Sequence, residues 1–215
     1  MTPQLPSETS SAEHCVHGVL IALRLPGQTL GVLLVGEPGI GKSELALELI
    51  SRGHALIADD APCFRAGPDD RLIGCCPSSL RDFLEVRGLG IINVHRLFGA
   101  AAVNDTHPLD LVIRLLAPDA LTLDETMRLE GAWDEEPIAG RSLPRLSLSV
   151  QAGRPLALLV ETAAQTFLLR RSGYNAAHDL STRLESSTSP TDRILDWNDQ
   201  QVRDQNAQHI DQEPS

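Results

Sequence analysis

The sequence predicts an α/β fold with a mixed sheet and flanking helices, built around a phosphate-binding loop. An apolar run of strand length, "TLGVLLV", leads directly into the glycine-rich segment "GEPGIGKS" over residues 36–43. A helical pattern over residues 42–52 and a second strand-like run, "HALIADD", follow in that order. Strand, glycine loop, helix and strand in succession are typical of a unit that binds phosphate at the start of its helix.

The elements around this loop can be justified in order. "VHGVLIALRL" predicts a strand, and the turn residues at 26–28 pair it with the next strand as a hairpin. In the helix over 42–52, Leu45, Leu49 and Ile50 share one face, and Gly53 ends it. A right-handed crossover then makes the strand of "HALIADD" parallel to the strand before the loop.

The rest of the chain predicts further elements in order. They are two short strands around a turn at 67–70, a short helix over 77–86, a glycine-interrupted segment over 87–94, a strand over 109–116, a polar irregular connection over 117–144, a strand over 145–150 and a long amphipathic helix over 154–173. We expect residues 1–14 to form a flexible arm, 15–185 one domain, and the polar stretch 186–215 a disordered tail.

Composition narrows the function classes. The net charge is −11, which disfavours nucleic-acid binding because that needs clustered cations. The polar start lacks the pattern of a secretion signal, and no apolar run reaches membrane-span length. The four cysteines, at 15, 63, 75 and 76, form no CxxC pair, so zinc is not expected. We therefore expect a cytoplasmic protein with reduced thiols and no membrane partner.

The glycine-rich segment matches GxxxxGK[ST] in full. Its glycines let successive backbone N–H groups point inward as an anion nest, and the helix adds its positive end. Lys42, the only lysine of the chain, can bridge phosphates, and the Ser43 hydroxyl can bind Mg²⁺. An ordinary glycine turn is the alternative, which the order of elements disfavours. The phosphate-binding residues are Gly36, Glu37, Pro38, Gly39, Ile40, Gly41, Lys42 and Ser43.

Two carboxylates, Asp59 and Asp60, close the second strand of this unit. Ligands of such sheets bind at the carboxyl ends of the strands, so both residues come near the phosphates. Successive side chains of a strand point to opposite sides, so we expect only one to face the γ-phosphate. It could hold Mg²⁺ through water or accept a proton from an attacking hydroxyl. Alternatively, both simply begin a turn before Pro62.

Five stretches together resemble the catalytic domain of the HPr kinase/phosphorylase family: "HGVLI", "GVLLVGEPGIGKSELALELISRGHALIADD", "LEVRGLGIINV", "DLVIRL" and "SGYNAAH". The resemblance covers residues 16–182 and implies a P-loop core of the phosphoenolpyruvate carboxykinase/HPr kinase type. It implies a short form without the family's usual amino-terminal domain. It also implies a homohexamer that phosphorylates a serine of the carrier protein HPr with ATP or pyrophosphate and removes the phosphate by phosphorolysis.

The same resemblance implies roles for individual residues. Asp60 resembles the catalytic acid–base group, His17 the family histidine, Arg141 the later catalytic arginine, and Ser43 with Glu85 the metal ligands. A segment that resembles the one serving both reaction directions comprises Leu84, Glu85, Val86, Arg87, Gly88, Leu89, Gly90, Ile91, Ile92 and Asn93. The residues that resemble the dephosphorylation element are Ser149, Val150, Gln151, Ala152, Gly153 and Arg154.

Some residues keep a second interpretation. His17 could be a hydrogen-bonded histidine on a strand, and Arg87 could form a surface ion pair instead of clamping phosphate. Because the family commonly has "VRPGR" where this chain has "VQAGR", Gln151 removes a cation, and we predict phosphorolysis that is slow relative to kinase activity. The rival functions are a P-loop kinase for another protein or a small molecule, and a nucleotide-binding sensor without catalysis.

Overall fold

A mixed β-sheet places the glycine-rich loop at the end of one of its inner strands. The structure is a computed structural model that describes residues 14–118 and 120–187. The strands of this part of the chain are β1 (His14–Cys15), β2 (Val19–Leu25), β3 (Gln28–Gly36), β4 (Ala55–Ala58), β5 (Cys63–Ala66), β6 (Leu72–Cys75), β7 (Phe83–Val86), β8 (Gly90–Asn93), β9 (Thr106–Leu116), β10 (Trp133–Ile138) and β11 (Arg141–Ser149). The helices are α1 (Lys42–Ser51), α2 (Val94–Phe98), α3 (Glu125–Glu130), α4 (Leu156–Arg171) and α5 (Ala176–Ser187).

The order of strands in the main sheet is β1-β5-β6-β9-β3-β2-β4, and β11 joins it by pairing with β9. β3 is parallel to β9, and β9 is parallel to β11. β2 and β3 form the predicted antiparallel hairpin. β4 pairs with β2 and not with β3, so the two strands that flank α1 run parallel, as predicted, with one strand between them. The predicted α/β fold with a mixed sheet is confirmed.

Both faces of the sheet are buried, which explains why β2 and β3 are almost uninterrupted apolar runs. Alternate side chains enter two different apolar clusters. Ile21 and Leu34 join the cluster that contains Leu49 of α1 and residues of α4, whereas Leu20 and Leu33 join the cluster on the other face. The helix α1 is therefore held against the sheet directly behind the glycine loop.

The prediction of a helix over 77–86 is wrong. Phe83–Val86 is a strand that pairs with Gly90–Asn93 as a hairpin. Leu84 and Val86 are buried, whereas Phe83 and Glu85, which alternate with them, are exposed. That alternation has the period of a strand, and the glycine turn after it closes the hairpin.

The prediction of an irregular connection over 117–144 is also wrong. It contains α3, β10 and the first residues of β11, and β10 pairs with β11 in antiparallel fashion. Acidic residues hide the strand pattern of β10 in the sequence. In the structure Glu136 pairs with Arg114 of β9 and Arg145 of β11, and Asp134 pairs with Arg145. Cross-strand ion pairs thus replace apolar alternation as the signal of this strand.

The cysteines differ from the prediction too. Cys15 of β1 and Cys63 of β5 lie opposite each other and form a disulfide, so the prediction of reduced thiols is wrong for this pair. Cys75 and Cys76 take no part in this disulfide. The sequence gives no sign that Cys15 and Cys63 pair, because they are separated by 48 residues and only the sheet brings their two strands side by side.

Contacts divide the chain into two units, one ending at Leu168 and the other beginning at Leu169, within α4. In the second unit the Tyr174 hydroxyl donates a hydrogen bond to Asp179 (3.0 Å), which also pairs with Arg183 (2.8 Å). Of the predicted arm, only His14 is among the described residues. The predicted tail lies outside them from residue 188 onward, and residues 186–187 belong to α5. No helix in the described ranges has the length and apolarity needed to cross a membrane.

Candidate active site

The glycine loop connects β3 to α1 through backbone conformations that glycine permits. Gly36 has φ 151°, and a Cβ there would lie 2.6 Å from the carbonyl oxygen of Leu115. Gly41, the N-cap of α1, has φ 103°. Any other residue would be strained at these positions. The loop can therefore curl tightly enough for its amides to surround an anion at the positive end of α1.

Lys42 is held in place by the loop itself. Its side chain is buried, and Nζ donates hydrogen bonds to the carbonyl oxygens of Gly36 (2.9 Å) and Glu37 (3.2 Å). An ammonium group has three N–H donors, so one remains for a ligand. The charge is thus fixed beside the anion nest before any phosphate arrives.

A cavity of about 190 Å³ lies in front of this loop. Most of the residues predicted for phosphate binding and catalysis meet there, although they come from four separate stretches of the chain. The lining residues are His17, Pro38, Gly39, Gly41, Lys42, Ser43, Glu44, Asp60, Glu85 and Arg87.

Asp59 and Asp60 point to different environments. Asp60 lines the cavity, whereas Asp59 is buried and accepts a hydrogen bond from the Glu85 N–H (2.9 Å). Burial raises the pKa of Asp59 to about 6, a rise that the Glu85 N–H opposes and the negative charge of Asp60 increases. Asp60 is thus the carboxylate available to a ligand, and Asp59 anchors the strand that carries Glu85.

His17 faces Asp60 across the mouth of the cavity. The distance from His17 Nδ1 to Asp60 Oδ1 is 3.9 Å, and both side chains are more than half exposed. This distance is too long for a hydrogen bond but allows an ion pair when the imidazole is protonated. An imidazole and a carboxylate therefore lie side by side next to the glycine loop.

The β7–β8 hairpin supplies the opposite wall. Leu84 and Val86 are in the core, so Glu85 between them turns toward the cavity. Arg87 at the turn lies so close to the loop that a Cβ on Gly39 would be 2.8 Å from its Nη2 atom. A guanidinium in this position can contact a phosphate held by the loop. Gly88 completes the turn with φ 84°.

Two predicted parts of the site lie elsewhere in the structure. Arg141 pairs with Asp70 and lines a different cavity together with Arg71, Leu72 and other residues. Ser149, Gln151 and Arg154 line a third cavity beside α4. Within one chain, neither Arg141 nor the segment Ser149–Arg154 is brought to the phosphate loop.

Sequence reasoning missed two residues of this site. The sequence predicts only that one of Asp59 and Asp60 faces the γ-phosphate, whereas in the structure Asp59 holds β7 through the Glu85 amide. The alternation of strand side chains was a signal that the two carboxylates differ, though not of what Asp59 contacts. Glu44, in the first turn of α1, also lines the cavity, and nothing in its sequence context indicates this.

The donors present suit a divalent cation that arrives with phosphates. Residues 14–118 and 120–187 contain no cluster of three or more His, Cys, Asp or Glu side chains that could hold a metal unaided. The cavity does offer the hydroxyl of Ser43 and the carboxylate of Glu85. Hard cations with few protein ligands complete their coordination with phosphate oxygens and water. The donors present therefore suit phosphate oxygens together with a divalent cation.

The fold and the cavity define a P-loop protein whose phosphate nest faces a carboxylate and a histidine. The family model described as "HPr Serine kinase C-terminal domain" matches residues 8–184. The chain belongs to this family.

Individual relatives support the same family assignment. The HPr kinase/phosphorylase of Geobacillus thermodenitrificans is 44% identical over 178 residues, which are 83% of this chain and 56% of that protein. That of Geobacillus kaustophilus is 43% identical over 172 residues, or 80% of this chain and 53% of that protein. The chain thus spans about half the length of these curated relatives. The solved structure of the Hpr(Ser) kinase/phosphatase from Coxiella burnetii superposes with a TM-score of 0.68 at 36% identity, covering 77% of this chain and 97% of that one.

Proposed function

We propose that this chain is a serine kinase/phosphorylase that phosphorylates HPr with ATP or pyrophosphate and removes the phosphate by phosphorolysis. The names of its relatives support this activity and HPr as the substrate. The single observation that carries the proposal is the meeting of Lys42, Asp60 and His17 in one cavity. Phosphoryl transfer needs charge neutralisation and alignment of the reactants, and this cavity has groups for both.

In the kinase direction, the loop amides and Lys42 hold the donor phosphates and Arg87 contacts the transferred group from the opposite wall. Asp60 accepts the proton of the attacking serine hydroxyl. His17 helps to orient this carboxylate, because its Nδ1 atom lies 3.9 Å from Asp60 Oδ1. General base catalysis of this kind is worth about 10²–10⁴-fold in rate.

In the phosphorolysis direction the same groups exchange roles. Inorganic phosphate attacks the phosphoserine, the P–O bond to the serine breaks, and protonated Asp60 gives its proton to the leaving oxygen. The loop and Lys42 then hold the pyrophosphate that forms. The predicted slow phosphorolysis of this chain, based on Gln151, remains part of the proposal.

The proposed metal is Mg²⁺, held by Ser43 and Glu85 together with phosphate oxygens. When bound, Mg²⁺ would neutralise charge on the phosphates. A homohexamer and a cytoplasmic location belong to the proposal as well. In a hexamer, Arg141 or the segment Ser149–Arg154 could reach the cavity of another subunit, which would give these residues the roles that the family resemblance implies.

The test is to incubate the purified chain with ATP·Mg²⁺ and HPr and to measure the intact mass of HPr. A gain of one phosphoryl group that is reversed by inorganic phosphate, with release of pyrophosphate, is the expected result. A Ser→Ala variant of the HPr acceptor should gain no phosphate. Transfer to a different acceptor would favour the rival kinase, and nucleotide binding without any transfer would favour the sensor.

A further inference from the structure

Three cysteines stand in one row across neighbouring strands. Cys15 of β1 is opposite Cys63 of β5, and Cys63 is opposite Cys75 of β6. Residues directly opposite in antiparallel strands have neighbouring side chains on the same face. Cys15 and Cys63 form the disulfide, and the thiol of Cys75 donates a hydrogen bond to the Cys63 carbonyl oxygen (3.4 Å).

This disulfide ties together the two segments that carry the acid–base pair. His17 follows Cys15 by two residues, and Asp60 precedes Cys63 by three. Between these points the Val16 N–H donates to the Pro62 carbonyl oxygen (3.1 Å). The covalent bond closes a loop with a sequence separation of 48, and beside its junction the imidazole of His17 faces the carboxylate of Asp60.

Little else fixes the segment before His17. β1 has two residues and lies at the edge of the sheet, where β5 is its partner within the described ranges. Single backbone hydrogen bonds stabilise only modestly, and Val16 is only partly buried. After His17 the chain enters β2, whose Leu20 lies opposite Ala58 of β4. Without the disulfide, the position of the exposed His17 side chain relative to Asp60 would depend on this strand pair and on the weak contacts before His17.

We propose that the Cys15–Cys63 disulfide is a reversible modification site that controls the alignment of His17 with Asp60. The consequence for catalysis rests on the proposed function. Cys15 is exposed and Cys63 is buried, so a dithiol reductant attacks the sulfur of Cys15. The S–S bond breaks and Cys63 leaves as a thiolate that takes up a proton.

The second thiol of the reductant then displaces Cys15 from the mixed disulfide. The reductant is oxidised to its own disulfide, and two protein thiols remain. A disulfide oxidant reverses both steps. The reagent class is thus a dithiol/disulfide couple, either a small molecule or a thioredoxin-like protein.

The experiment compares the oxidised chain with the chain reduced by dithiothreitol. Peptide mass mapping establishes the Cys15–Cys63 link, hydrogen exchange follows residues 14–18, and transfer to HPr and the Kd of a fluorescent ATP analogue are measured in both states. We expect reduction to accelerate exchange in this segment and to lower kcat roughly tenfold, as expected for a catalytic group that loses its alignment. The nucleotide Kd should stay unchanged.

The variants Cys15→Ser and Cys75→Ser are matched controls. Cys15→Ser should behave like the reduced chain under both conditions, and Cys75→Ser should retain the response of the wild type. The proposal is overturned if the 15–63 link never forms, or if exchange and kcat are the same in both states. If neither state transfers phosphate, the proposed function fails, while mass mapping and hydrogen exchange still decide whether this segment responds to redox state.

Discussion

The two walls of the candidate site are built in different ways. The wall proposed to hold phosphate is one uninterrupted stretch, residues 36–43, in which Lys42 is buried and bonded to carbonyl groups of its own loop. The opposite wall consists of His17, Asp60, Glu85 and Arg87, which belong to three distant segments and for which we propose roles in proton transfer, metal binding and contact with the transferred phosphate. His17 and Asp60 are more than half exposed.

This difference indicates a division of roles. We expect a buried, locally bonded loop to bind phosphate with little help from distant segments. The opposite wall depends on tertiary contacts such as the bond from the Glu85 amide to Asp59 and the disulfide at Cys63. Changes in the first wall should therefore affect nucleotide binding, and changes in the second should affect transfer while binding survives.

The largest expected effect comes from Asp60→Asn. An amide cannot accept the serine proton, so kcat for transfer to HPr should fall about 10³-fold while the nucleotide Kd stays within about twofold. Rapid-quench kinetics and titration with a fluorescent nucleotide measure the two quantities. The control is Asp69→Asn, which changes an exposed aspartate on a distant turn with φ 53°. Kinase activity retained in Asp60→Asn would contradict the proton-handling role.

Lys42→Met should affect both steps. It removes the charge fixed beside the anion nest, so we expect about 10²-fold slower transfer together with clearly weaker nucleotide binding. Isothermal titration with ATP·Mg²⁺ measures the loss of affinity. A variant that kept wild-type affinity and lost only kcat would remove the distinction between the two walls.

Arg87→Lys should have a smaller effect on transfer. The guanidinium can contact phosphate with two parallel hydrogen bonds and lysine cannot, so kcat should fall about tenfold with little change in the nucleotide Kd. The exposed Arg65 of β5 offers a matched control as Arg65→Lys. Equal transfer rates in both variants would indicate that Arg87 makes no such contact.

The smallest expected effect is on stability. The pKa of Asp59 is raised from 3.8 to about 6, so the folded state binds its proton more tightly than the unfolded state does. Stability therefore falls as pH rises through the interval from about 4 to 6, and Asp59→Asn should remove that loss. We expect the variant to gain about 1–2 kcal/mol relative to wild type at pH 7 and little at pH 4.

Urea unfolding of the ligand-free chain at both pH values measures this difference. Asp69→Asn again serves as the control. A stability difference between Asp59→Asn and wild type that did not change with pH would contradict the assignment. The hydrogen bond from the Glu85 N–H can persist in the variant because the Asn amide oxygen also accepts it.

Elements whose structure depends on neighbouring residues could be predicted from the sequence, and elements that depend on distant contacts could not. The loop, α1 and the β2–β3 hairpin were predicted with nearly their observed bounds, since glycine conformations, helix periodicity and a turn depend on neighbouring residues. The strands β7 and β10 were not predicted. The sequence of the first predicts a helix, and in the second, acidic side chains that pair with Arg114 and Arg145 obscure the strand pattern.

The sequence by itself determined the phosphate nest, because the eight residues that form it are consecutive and their geometry is local. Only the tertiary structure decided that Asp60 faces the cavity while Asp59 is buried, that Arg87 reaches Gly39, and that Arg141 lies elsewhere. It also paired Cys15 with Cys63. These outcomes depend on which distant strands become neighbours in the sheet, and burial of apolar side chains across the whole chain sets that arrangement.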